Sequence, residues 1–384
     1  MSVTHPKGFL ATGVVAGIKK SGGLDLAVVI NAGLHPAAAA VFTTNRFPAA
    51  PVRLSRSVMA SGTTPTAVVL NAGGANACTG QPGLDDARRE AQLAAELLGQ
   101  DGGVLVCSTG LIGQRLPIEA VCKGITRAID SADGADGGHL AAEAIRTTDT
   151  RAKTAALDAD GWSVGGMAKG AGMIAPGLAT LLVVVTTDAV TDNATAQRAL
   201  AKAAELTFNR IDTDGCMSTN DTLILLASGE SGVTPTKDEL TRAVTAVCQD
   251  LAQQCVGDAE GASHEIAITV SNAATEDGAL AVARAVARSA LFKCAVAGND
   301  PNWGRVVAAV GTTAAQFDPD RVDIAFNGVT VFRQGGLGEP RSAVDLSGRQ
   351  VAVDIDLHAG HHAATLWTTD LTHAYVSENS DYSS

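Results

Sequence analysis

Large aromatic side chains are scarce in this chain: its 384 residues carry eight Phe, three Trp and two Tyr beside 41 Gly. A core of this composition cannot rest on aromatic anchors, so alanine and valine must fill it by close approach of backbone layers. So dense a use of glycine also demands many tight turns. Hydrophobic residues are 46% of the sequence, ample for sizeable cores, and the length suits roughly two to three folding units. Small disulfide-stapled and disordered classes are excluded.

The charge balance narrows the partners. Twenty-eight Lys plus Arg against 40 Asp plus Glu leave a net charge of −12, so no global positive field exists to hold nucleic acid or anionic lipid. A small-molecule or protein partner fits better. Seven cysteines are odd in number, scattered and nowhere spaced as CxxC, which speaks against a disulfide framework or a zinc ribbon and for a reducing compartment. The longest apolar stretches, such as Leu181 to Val185, fall far short of the ~20 residues a bilayer span needs. The run from Phe9 to Ile18 is broken by Thr12, Gly13 and Gly17, unlike a secretory signal. A cytoplasmic protein is expected.

Periodicity predicts a layered α/β (α+β) fold, a sandwich of mixed, largely antiparallel sheets with outer helices; it leaves the strand order open. Strands are expected at Leu26 to Ile30, at Ala67 to Leu70 ahead of a glycine-rich loop, and at Val104 to Cys107 ahead of STGLIG, where STG reads as a turn. Asp85 to Leu98 is predicted helical, with acidic residues at its start and Gly99 as its stop. Asp130 to His139 is polar and glycine-rich, a surface-loop signal. Lys153 to Leu157 and Trp162 to Val164 flank an Asp-Gly turn, a hairpin signal. Asn193 should cap a helix to Thr207, Thr236 with Glu239 forms a capping box for a helix to about Cys255, and Thr275 caps a third. Val322, Ile324 and Phe326 share one strand face, Asn327-Gly328 turns the chain, and Val351 to Leu357 repeats the alternation.

Candidate chemistry centres on Gly165 to Val185, where Lys169 stands among glycines and Thr180 opens a buried-type strand. A threonine there is ordinarily a structural edge residue. Its hydroxyl becomes a nucleophile only with a base, and one solution makes it N-terminal, so that its own α-amine, with a reference pKa of about 7.7 to 8.0, takes the proton. That requires cutting the chain before it. A glycine-rich approach and a small preceding residue, Ala179, would let the hydroxyl reach the preceding carbonyl.

KGAGMIAPGLAT (Lys169 to Thr180) resembles the maturation site of the ornithine acetyltransferase family, also called the bifunctional glutamate N-acetyltransferase family. VFTTNRFPAAPV, STGLIG, TTDT, STND, DAEGAS, NDPNWGR and the tail DLTHAYVSENSDYSS follow in that family's order, so the resemblance spans essentially the whole chain. It implies a DmpA/ornithine-acetyltransferase-like fold and self-cleavage between Ala179 and Thr180, giving an α chain of residues 1–179 and a β chain of residues 180–384, with two copies of each in the assembly. It further implies Thr180 as nucleophile and Thr109 with Gly110 as the oxyanion site. Substrate contacts carry over onto Thr148, Lys169, Thr180, Glu260, Asn379 and Ser384. The substrates implied are N-acetylornithine and glutamate, without a cofactor, acetyl-CoA staying open as a second acetyl donor. NAGGAN, CMSTND and the terminal Ser384 depart from the family's commoner residues, and Ser384 is the softest assignment. An amidase or aminopeptidase of the same architecture is the rival reading.

Other constellations carry less. His358, His361 and His362 lack a fourth ligand at usual spacing and read as a surface loop rather than a metal site. The glycine clusters fit neither GxGxxG nor a P-loop. Cys248 and Cys255 lie two helical turns apart and cannot bridge. Trp303 reads as a packing anchor, with Asp300 and Arg305 paired across the turn.

Overall fold

The computed structural model describes residues 2–99, 103–175 and 181–381; Ala179, Thr180 and Ser384 lie outside the described residues. Two compact units result, one from residues 1–209 and 216–258, the other from 210–215 and 259–384. This division follows packing, and the expected α and β chains follow a covalent cut, so the two partitions need not coincide.

Among the described residues nine strands build the first unit: β1 (Phe9–Val14), β2 (Leu26–Asn31), β3 (Ala37–Phe42), β4 (Pro65–Gly74), β5 (Gly103–Leu111), β6 (Lys153–Asp158), β7 (Ser163–Lys169), β8 (Leu182–Thr187) and β9 (Thr222–Ala227). Its helices are α1 (Ala50–Ala60), α2 (Gly80–Leu98), α3 (Ile118–Ser131), α4 (Gly137–Ala144), α5 (Asn193–Leu206) and α6 (Lys237–Gly257). One sheet runs β1-β2-β4-β5 and the other β3-β9-β8-β7-β6. Strand alternation makes the sandwich: Ala27 and Val29 of β2 meet Val184 of β8 and Ile224 of β9 in the core between the sheets, while Leu26, Val28 and Ile30 turn outward under α2 and α3. Helices α5 and α6 cover the other sheet. Each fully buried Val, Leu or Ile contributes about 1.5–3 kcal/mol.

Among the described residues the second unit has one sheet, ordered β13-β12-β11-β14-β10-β15. Its strands are β10 (Glu265–Ala273), β11 (Asp323–Phe326), β12 (Val329–Arg333), β13 (Gly336–Leu337), β14 (Gln350–Asp356) and β15 (His362–Thr369), and its helices are α7 (Glu276–Ala287), α8 (Ala290–Ala297), α9 (Trp303–Val310) and α10 (His373–Ser380). Ile266, Ile268 and Val270 of β10 pack with Val282 and Val286 of α7 in its core. Each of the three sheets holds one parallel pair, β4 with β5, β8 with β9 and β10 with β14, and the remaining described pairs are antiparallel. This is the mixed, layered α/β fold that the sequence pattern predicts.

Local expectations fare unevenly. The Asp-Gly hairpin joins β6 to β7 antiparallel, with Gly161 at φ +80°. The Thr236 capping box and the Thr275 cap are both formed, and Asn327 and Gly328 turn the chain at φ +46° and +83°. Helix α2, however, starts at Gly80, so no acidic residue stands in its first turn. The cap of α5 is Asp192; Asn193 Oδ1 instead accepts the N–H of Ala38 on edge strand β3. Half of Asp130 to His139 is helical, since α3 runs to Ser131 and α4 starts at Gly137, and the expected surface loop is confined to residues 132–136. STG is no turn, because Ser108 to Gly110 are paired residues of β5. Trp303 does anchor packing, its ring 5.0 Å from that of Phe332. Asp300, though, pairs with Arg341, and Arg305 donates to the Leu291 carbonyl. Among the described residues no disulfide joins the seven cysteines, and no described helix is long and apolar enough to cross a membrane.

Candidate active site

Parallel strands β4 and β5 end side by side, with an irregular register where Gly73 and Gly74 meet Thr109, Gly110 and Leu111. Gly110 sits at φ +129°, and a Cβ there would lie 2.5 Å from the Gly73 carbonyl carbon and 2.6 Å from Gly74 N. Only glycine fits, which brings two backbones together at this strand end. Polar side chains lock the pair from both sides. Ser108 Oγ donates to Asn71 Oδ1 at 2.6 Å, Asn71 Nδ2 donates to the Gly74 carbonyl at 3.1 Å, and Asn220 Nδ2 donates to the carbonyls of Ala75 and Ser108 at 2.6 and 2.8 Å. A loop closes over Gly73: both Asp25 carboxylate oxygens accept backbone N–H groups from Ala16 to Lys19 at 2.5–3.0 Å.

Strand β7 ends on Lys169, which is 1% exposed, and its Nζ donates to Thr109 Oγ1 at 3.3 Å. Burial pulls the Lys169 ammonium below its ordinary pKa, the Asp149 carboxylate opposes that, and Lys153 reinforces it. Asp149 is the centre of a buried ion network. Lys153 Nζ lies 2.5 Å from Asp149 Oδ1 and 2.6 Å from Asp258 Oδ2, and the Gly170 N–H donates to Asp149 Oδ1 at 2.7 Å. Burial works against ionising Asp149, but the charges of Lys169 and Lys153 and these hydrogen bonds outweigh it and hold the carboxyl well below the usual range. The network thereby ties the 147–150 loop, which carries Thr148, to the end of β7. From there residues 170–181 lead to β8, the antiparallel neighbour of β7. Adjacent hairpin strands are commonly joined by roughly two to five residues, and longer connections tend to carry function.

The sequence of this chain matches the ArgJ family over residues 10–384. The chain belongs to the ArgJ family. It is 57% identical over 384 residues to the arginine biosynthesis bifunctional protein ArgJ of Thermobifida fusca and 56% identical over 385 residues to that of Streptomyces coelicolor, with 100% of each chain covered in both cases. Among solved structures, the ornithine acetyltransferase of Mycobacterium tuberculosis complexed with ornithine is 49% identical over 47% of this chain and 96% of that chain, with a TM-score of 0.45.

The residues expected to act in this ArgJ-family chain fall into three groups. Thr109, Gly110, Thr148 and Lys169 belong to the first unit, where Thr109 and Lys169 are in contact. Glu260 and Asn379 belong to the second, where Asn379 Nδ2 donates to Glu260 Oε2 at 3.0 Å. Ala179, Thr180 and Ser384 lie outside the described residues. Of the histidines of HAGHH, His358 and His361 lie in the turn between β14 and β15 and His362 opens β15, with His358 Nε2 3.0 Å from Asp323. Sequence reasoning assigned no role to Asp149, Asn220 or Asp221, although TTDT and STND contain them. A carboxylate inside a short motif carries no mark of burial, and burial gives these groups their weight.

Proposed function

We propose that this ArgJ-family chain is an acyltransferase of arginine biosynthesis that moves acetyl from N-acetylornithine to glutamate through an acetyl ester on Thr180. The observation that carries the reading is the Lys169–Thr109 contact beside Gly110, at the strand ends from which residues 170–181 depart. The chain first cuts itself. The Thr180 hydroxyl attacks the Ala179 carbonyl carbon, an ester replaces the amide and frees the Thr180 nitrogen, and water hydrolyses the ester. An α chain of 1–179 and a β chain of 180–384 remain, two copies of each forming the assembly.

In turnover the free Thr180 amine takes the proton of its own hydroxyl while that oxygen attacks the acetyl carbonyl. The oxyanion is received by the Thr109 hydroxyl and the Gly110 N–H, where losing one donor costs about 2.7–4 kcal/mol. The ammonium then returns its proton to the departing ornithine nitrogen. Glutamate attacks the ester by the same steps in reverse order, so the acetyl group moves between amines without ATP. Thr148, Lys169, Glu260, Asn379 and Ser384 hold the amino-acid substrates; Lys169 suits a carboxylate and Glu260 an ammonium. No cofactor takes part, acetyl-CoA is a second donor to be tested, and the reducing cytoplasm is the setting.

Intact mass under denaturing conditions, with an assay of glutamate-dependent acetyl transfer, tests this. Two chains meeting at 179/180 and acetyl-glutamate as product are expected, and Thr180→Ala should leave one inactive chain. One uncut, fully active chain would overturn the proposal, and acetyl release that glutamate neither accelerates nor captures would favour an amidase.

A further inference from the structure

Asp221 opens onto strand β9 and is wholly buried in the first unit. Its Oδ1 accepts the N–H of Leu181 at 2.8 Å, and the Leu181 carbonyl in turn accepts the Thr222 N–H at 3.0 Å. Its Oδ2 has no hydrogen-bond partner among the described residues. The Thr43 hydroxyl, near by, already donates to the Ser218 carbonyl at 2.7 Å. Burial drives the Asp221 carboxyl well above its ordinary pKa, against the opposing effects of the Leu181 N–H, the Lys169 charge and the Ser218 and Thr43 hydroxyls. A buried carboxyl with an idle oxygen is expensive to keep unless something engages it. Leu181 directly follows Thr180, so this carboxyl is anchored one residue from the nucleophile.

We propose that Asp221 is a positioning residue for Thr180: one carboxyl oxygen fixes the Leu181 N–H, and the other is the hydrogen-bond partner of the nitrogen that self-cleavage frees. This rests on the cleavage proposed above. No bond to Asp221 forms or breaks, and the proton still passes from the Thr180 hydroxyl to its amine and on to the leaving nitrogen. Asp221 holds that amine where its lone pair meets the hydroxyl. A misplacement of the order of 1 Å at such a contact can cost about a hundredfold in rate.

Asp221→Asn keeps the size and the Leu181 contact and changes the second oxygen, so it isolates the amine contact. Wild-type and variant enzyme are compared for cleavage by intact mass, for melting temperature, and for kcat and KM of acetyl transfer across pH. In the wild type Lys169, from β7, is the charged group facing Asp221. The expected result for the variant is a cut chain with kcat lowered roughly tenfold or more, KM little changed, and the acidic limb of the kcat profile moved to lower pH, because the buried carboxyl, neutral while its oxygen is idle, ionises against the ammonium that cleavage frees and the amide of Asn cannot. If Asp221→Asn remains uncut, its self-cleavage rate replaces kcat as the readout: a slowed cut at unaltered melting temperature supports the proposal. If it does not fold, Asp221→Ser is measured in the same way. A variant with wild-type cleavage, kcat and acidic limb overturns the role of Asp221, and so does a lowered kcat with an unmoved limb. An uncut, active wild type overturns instead the cleavage reading beneath it.

Discussion

Glu90 on α2 is wholly buried, and both of its carboxyl oxygens lack a hydrogen-bond partner among the described residues. Burial, with Asp86 adding to it, pushes its pKa from an ordinary 4.5 to about 8. The folded protein therefore binds a proton there that the unfolded chain has already released. Stability from this site is fully present below about pH 4.5 and falls as pH rises toward 8. Glu90→Gln removes the ionisation, so urea-unfolding free energies of variant minus wild type should rise between pH 5 and 8 and level off above; a flat difference would mean that Glu90 is ionised in the fold. Nothing in the sequence around Glu90 signals this. It occupies the i+4 position after Asp86 on a polar-looking helix, and only packing decides which carboxylate faces inward. Gly110 was legible differently: the STG motif drew notice, but the reason for its glycine, a backbone 2.5 Å from where a Cβ would sit, belongs to the neighbouring strand.

Helix and strand identities came through wherever the signal was local. The capping box of α6 and the alternation along β14 depend on residues within one element, and both stand as read. Boundaries failed where a distant partner overruled them. Asn193 is a good cap residue, yet it serves β3, an edge strand whose first four residues are alanines, too short to shield its backbone. Gln197, one turn on, completes the guard: its Oε1 accepts the Ala40 N–H at 3.1 Å and its Nε2 donates to the Ala40 carbonyl at 3.2 Å. Gln197→Leu should leave that peptide group without its partners and cost about 1–3 kcal/mol. Chemical denaturation would measure the loss, and hydrogen exchange at the Ala40 amide should quicken in step; an unchanged exchange rate would show that the edge is protected by something else.

Across the whole chain, strand order was out of reach of the sequence because the decisive pairings are remote, β3 with β9 and β4 with β5. That order governs what a cut at 179/180 can do. In the sheet β3-β9-β8-β7-β6, strands β3, β7 and β6 precede the cut and β9 and β8 follow it. The proposed α and β chains therefore share two strand-to-strand seams, β3 with β9 over six register pairs from Ala37↔Ala227 to Phe42↔Thr222, and β7 with β8 over six from Val164↔Thr187 to Lys169↔Leu182. The same core takes Val29, Val68 and Leu105 from one chain and Val184, Ile224 and Leu226 from the other. Cutting one peptide bond frees chain ends but removes none of these contacts, so the chains should stay together through native size exclusion and at high salt, which screens surface charge and leaves apolar burial intact. Separation should need denaturant enough to melt the sheet, and labels on either chain should then report one shared midpoint. Two well-separated midpoints, or exchange of one chain in native buffer, would mean that the strands on either side of the cut are not one cooperative layer.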